Sequence, residues 1–90
     1  MNLFSPGQVV ATPASLRAIE DAGESIFAYL ERHLSGDWGD INEEDRHANA
    51  YALEHNLRLL SAYRLKNEVR IYVITEWDHS VTTVLLPEEY

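Results

Sequence analysis

Four histidines (His33, His47, His55 and His79) are the side chains of this 90-residue sequence whose ordinary titration lies nearest neutrality, and there is no cysteine. A histidine and a carboxylate on one surface are the residues small RNA- or nucleotide-cleaving folds use for proton transfer. Thr75, Glu76, Asp78, His79 and Ser80 crowd one short segment, and His33 precedes a Gly36-Asp37-Trp38-Gly39 loop. If that segment meets the loop, His33, Glu76, Asp78 and His79 form a candidate catalytic group for metal-independent proton transfer on RNA or a nucleotide. The bland reading of the same segment is an Asx-type turn in which Asp78 or Ser80 bonds its own backbone. Metal chemistry fares worse. His47 and His55 on one helical face are about 12 Å apart along the axis, too far to share an ion, and Glu43 with His47 is half a site. Without cysteine there is no thiolate zinc site, iron–sulfur ligation, disulfide or thiol nucleophile. Ser35, Ser61 and Ser80 lie in no glycine-flanked elbow, and glycines at 7, 23, 36 and 39 build no phosphate loop. No metal and no cofactor is expected.

The charge is more informative. Fifteen acids against seven bases give a net charge of −8. Nine of the acids fall between Glu20 and Asp45 with Arg32 as the sole base there, while the rest of the chain holds six acids and six bases. An electrically neutral body thus carries one acidic segment. Direct binding to a nucleic-acid backbone or an anionic membrane needs a basic face and is not expected. A basic protein surface is the expected partner, with Glu31, Asp37, Trp38, Asp40, Glu43, Glu44 and Asp45 as the candidate contact residues: carboxylates steer, and an aromatic within a charged rim anchors. Trp38 and Trp77 both fall in loops, where an aromatic residue either pins the loop to the core or meets a partner. No stretch reads as a signal peptide or a bilayer span, so a cytoplasmic location is expected.

The elements that must position these residues follow from pattern. Thr12-Pro13 is a helix start, with Leu16, Ile19 and Ala22 as its stripe and Gly23 as its stop. A second helix over about 24–35 places Ile26, Leu30, His33 and Leu34 on one face. Asn42 caps a third helix whose best stripe is Ala48, Tyr51, Ala52 and His55, thin and partly polar, and Asn56 takes the left-handed cap. From Leu57 the period becomes two. Leu57–Lys66, Val69–Glu76 and Val81–Leu86, joined by tight turns, predict an antiparallel meander, with Val9-Val10 as a fourth strand at its edge. The expected fold is a single α+β domain over residues 1–90, about three helices packed on a three- or four-stranded antiparallel sheet.

One set of residues also carries a resemblance. His33-Leu-Ser-Gly36-Asp37-Trp38-Gly39-Asp40, then Asp45, Asn49 and Leu59-Leu60-Ser61-Ala62-Tyr63, form its first part. Ile74-Thr75-Glu76, Asp78, Ser80, Thr82 and the ending Leu85-Leu86-Pro87-Glu88-Glu89-Tyr90 form its second. Over residues 33–90 the chain resembles short "plasmid-related" proteins encoded on plasmids, integrative elements and prophages, and departs from their pattern at His79, where an arginine stands. The resemblance implies a mobile-element setting, and with it an inhibitor of a host defence complex, a CRISPR effector or restriction enzyme, that occupies a basic nucleic-acid channel. An antitoxin-like or regulatory partner protein is the further alternative.

Overall fold

A computed structural model describes residues 2–90. Strand β1 (Gln8–Ala11) leads into α1 (Pro13–Asp21), α2 (Ile26–Leu34) and α3 (Glu43–His55). Strands β2 (Leu59–Arg64), β3 (Arg70–Thr75) and β4 (Val81–Leu85) and a 3-10 turn at Pro87–Glu89 complete the chain. The helix starts are those the residue types dictate. Thr12, Ser25 and Asn42 each accept a bond from a main-chain N–H of the first turn they cap. Asn56 ends α3 in the left-handed region, with φ 54°. Gly23, at φ 70°, turns the chain between α1 and α2, so these are two helices and not one kinked one.

The sheet order is β1-β4-β3-β2, with β2-β3-β4 as the expected antiparallel meander. The fourth strand corrects the expectation of a purely antiparallel sheet: β1 pairs with β4 in parallel, Val9 against Thr82 and Ala11 against Val84. Three helices intervene between β1 and the meander, and such a long crossover permits the parallel pairing that a tight turn forbids.

Alternation puts Leu59, Ser61 and Tyr63, then Ile71, Val73 and Thr75, then Thr82 and Val84, on the face beneath α1 and α2. The main core joins Ile19, Tyr29 and Leu30 of the helices to Tyr63, Leu65, Ile71, Val73 and Val84. A smaller second core, Trp38, Ala52 and Leu59 with Phe4, Ile41 and Leu53 around it, seats α3.

Candidate functional site

The acidic segment is built around the loop between α2 and α3. Here Trp38 is not the surface anchor expected of it. Its ring is 6% exposed, packed on Ala52 and Leu59 and stacked with Phe4, because the loop runs along the outer edge of β2. The Ala62 N–H donates to the Trp38 carbonyl (3.0 Å), and the Asp40 N–H to the Ala62 carbonyl (2.6 Å). Gly39 makes this approach possible. It sits at φ 73°, and a Cβ there would collide with the Ala62 carbonyl oxygen and the Tyr63 ring.

The two loop carboxylates beside Trp38 are met by the chain's own cations. Arg32 Nε donates to Asp37 Oδ2 at 2.7 Å, and this bond holds the Asp37 carboxyl below its usual range. Its guanidinium also lies 4.5 Å from the centroid of the Tyr63 ring, whose hydroxyl donates to the Asp37 carbonyl (2.6 Å). Arg64 reaches Asp40 at 3.7 Å and Glu68 at 3.6 Å. The result is a cleft of about 410 Å³, lined by Arg32, Asp37, Gly39, Asp40, Tyr63 and Arg64, in which signs alternate. Part of the negative field read from the sequence is thus offset internally.

Carboxylates farther along are freer. Glu43, Glu44 and Asp45 form the first turn of α3, where the helix dipole favours them. Glu43 faces Arg46 (3.8 Å) and His47 (3.3 Å), all three largely exposed. Glu31 and Glu44 are exposed and have no ion pair among the described residues, while Asp45 is half-buried.

Helix α3 itself departs from its expected packing. Its buried residues are Asn49 and Ala52, whereas Ala48, Tyr51 and His55 of the expected stripe face solvent. The cause is one polar residue. The Asn49 amide donates to the Leu60 carbonyl (2.7 Å) and its oxygen accepts the Leu60 N–H (3.1 Å), so the side chain stands in for a strand on the β2 edge. A hydrophobic pattern cannot register a residue buried for its amide. The signal available was spacing, since Asn49 and Ala52 lie three apart and Leu53 adjoins them. Turned this way, α3 shows solvent a stripe of Glu44, Ala48, Tyr51 and His55, with the last two rings stacked at 4.0 Å. Beyond its C-terminal end Trp77 stands 62% exposed, beside Asn56, Asp78 and His79. The exposed tryptophan is therefore Trp77 and not Trp38.

The candidate catalytic group does not assemble as a solvent-facing site. Glu76, Asp78 and His79 do share the β3–β4 turn, but it is the self-bonded turn of the bland reading. Asp78 Oδ1 accepts the Ser80 N–H (3.1 Å), the His79 N–H donates to the Glu76 carbonyl (2.9 Å), and His79 sits at φ 58°. Bonds from the Ser80 hydroxyl and amide pull the Asp78 carboxyl below its usual range. The His79 ring packs on Phe4, and its Nε2 is enclosed without a partner among the described residues.

His33 packs on the same Phe4 ring (centroids 5.3 Å) but is 0% exposed, beneath the sheet. Its Nδ1 lies 2.6 Å from Ser61 Oγ, and its Nε2 lies 2.9 Å from Thr75 Oγ1. Thr75 Oγ1 is 2.7 Å from Thr82 Oγ1, and Thr82 donates to the Pro6 carbonyl at 2.7 Å. That last bond fixes every proton in the series. Thr82 gives its hydroxyl proton to Pro6, so Thr75 must donate to Thr82 and can only accept from His33. Imidazole Nε2 then carries the hydrogen, Nδ1 is the acceptor, and Ser61 donates to it. The histidine is held neutral, its pKa pushed down to about 4 by burial. Although this is a serine–histidine pair, it has no carboxylate and no access for a substrate, and both ring nitrogens are occupied. Among the described residues no group of three or more His, Cys, Asp or Glu could hold a metal ion, and no helix is long and apolar enough to cross a membrane. Comparison with protein-family models, with curated proteins and with solved structures finds no match.

Proposed function

We propose that this chain is an acidic protein-interaction module that binds a basic protein surface through the solvent side of α3. The observation that carries the reading is the orientation of α3. Thirteen residues long, it buries only Asn49 and Ala52, and it leaves Glu44, Ala48, Tyr51 and His55 in one exposed line. A helix of about 20 Å with carboxylates at one end, small residues midway and aromatic rings at the other has the composition of a binding face. Negative charge selects and steers the partner, and Tyr51 with Trp77 supplies apolar contact.

The resemblance of residues 33–90 to mobile-element proteins supplies the setting, and with it the partner: a nucleic-acid-binding host defence complex, either a CRISPR effector or a restriction enzyme, whose basic groove the module occupies. The enzyme alternative loses His33, sealed in the core with both nitrogens engaged.

Affinity capture from the host cell, followed by binding of the purified pair at graded salt, tests the reading. Glu43→Lys/Glu44→Lys should weaken binding at least about tenfold with the fold retained, the melting temperature falling by several degrees because two carboxylates leave the N-terminal turn of α3. Wild-type binding should weaken steadily as salt rises, since exposed charges are screened beyond about 8–10 Å. A complex indifferent to both changes would remove α3 and its carboxylates from the interface.

A further inference from the structure

The two edges of the sheet are finished differently. At β2 the outward-facing groups of Leu60 are taken by the Asn49 side chain, and those of Ala62 by Trp38 and Asp40. At β1 the Gln8 N–H reaches the Ser80 carbonyl (2.9 Å) and the Thr12 N–H reaches the Val84 carbonyl (3.0 Å). Gln8, Val10 and Thr12 therefore turn their main-chain groups toward β4, and Val9 and Ala11 turn theirs away from the sheet. Among the described residues nothing bonds to the amide or carbonyl of Val9 or Ala11. Natural edges are guarded by shortness, charge, proline, bulges or cover, and of these β1, four residues long, has only the first. Gln8-Val9-Val10-Ala11 has no charged residue and no proline, and it is the one strand without a buried residue, Val9 being 40% and Val10 39% exposed.

We infer that a second copy of this chain covers this edge, through antiparallel pairing of the two β1 strands about a two-fold axis at Val10. The geometry closes on itself. Val9 of each copy lies opposite Ala11 of the other, four N–H···O bonds form, and every outward group of the two residues is used. The two Val10 side chains meet at the axis on the side of Thr83, away from the helices. The two sheets become one of eight strands.

Charge permits this contact and disfavours the alternatives. The loop carboxylates and the first turn of α3 lie at the β2 edge, three strands away, about 14 Å and beyond the screening length. The strand through which two chains of net charge −8 meet is itself uncharged; the Glu89 carboxylate, bonded to Thr12, lies at the C-terminal end of each β1, so the two-fold axis puts the two copies' Glu89 at opposite ends of the contact.

So short a strand contact falls below the usual area of a stable interface, so the dimer should be concentration-dependent, forming between about 1 µM and 1 mM. Sedimentation over that range should show the mass rising from 10.3 kDa toward twice that value. Amide exchange on the wild-type chain should show Val9 and Ala11 gaining protection as concentration rises, while Val10 stays protected throughout. Val10→Lys places two ammonium groups at the axis and should weaken the dimer at least tenfold. Val9→Pro removes a donor that points away from β4, and should do the same with the ladder to β4 intact. A monomer throughout would overturn the inference, as would a dimer in which the Val9 and Ala11 amides exchange equally fast at both ends of the range. Protection of those amides only on adding an unrelated protein would assign the edge to a foreign strand and overturn the second copy. Should Val10→Lys fail to fold, the wild-type exchange data and Val9→Pro decide the matter alone.

Discussion

At the scale of single residues, the structure separates side chains that look alike in sequence. Trp38 and Trp77 both fall in loops, yet one is core and the other is surface. Trp38→Ala should cost about 3–5 kcal/mol of stability, because it empties the centre of the second core. Trp77→Ala should change stability by no more than about 0.5 kcal/mol and act on partner binding instead. Denaturant unfolding of the two variants checks this contrast. The histidines divide in the same way. His33 is neutral in the folded chain down to about pH 4, against an ordinary value of 6.5. Below 6.5 the unfolded chain takes up a proton that the native imidazole refuses. Stability therefore falls as pH drops from 6.5 to about 4, by roughly 3 kcal/mol from this group, and is flat in this term above that window. Urea midpoints at half-unit pH intervals should show the slope, and His33→Gln should lose the part of it that His33 supplies, at whatever stability it retains. Equal slopes in the two proteins would mean that burial of the ring carries no such linkage.

At the scale of elements, the most constrained contact is the loop that pairs with β2. Gly39→Ala combines a left-handed φ with a collision against main chain, and neither can relax by a rotamer change. A loss of about 2–4 kcal/mol is expected. Asn49→Ala leaves the Leu60 amide and carbonyl without partners on the plugged edge and should cost about 2 kcal/mol. Thermal melts of both variants test this, and an Asn49→Ala protein as stable as wild type would mean that water replaces the amide without loss. These elements also show what the sequence discloses. Caps at Thr12, Asn42 and Asn56, the change of period at β2 and both tight turns are local chemistry, and they stand where residue types place them. The parallel direction of β1 and the rotation of α3 depend on contacts across 11 to 73 residues, Asn49 with Leu60 and Val9 with Thr82, which periodicity does not encode. For the same reason the candidate site was half legible: the acidic positions could be read directly, but the arginines that answer Asp37 and Asp40, and the exposure of Tyr51, could not.

At the scale of the whole molecule, the two cores are unequal. The main one spans α1, α2 and the three strands of the meander, while the second holds α3 through three buried residues and one amide. Native-state exchange should find α3 amides opening at a free energy well below that of the β3 amides, because α3 can detach without disrupting the larger core. Uniform protection across α3 and β3 would indicate a single cooperative unit. The buried polar series from Ser61 through His33, Thr75 and Thr82 to the Pro6 carbonyl has a further consequence at this scale. Sliding β2 by two residues along β3 would keep every apolar side chain on its proper face, so hydrophobic burial scarcely distinguishes that error from the native pairing. The proton series does distinguish it, because a two-residue slip moves Ser61 away from an imidazole already committed to Thr75 on the neighbouring strand. Five segments of chain thus share a parity check, in which one misaligned strand leaves a buried donor or acceptor unanswered.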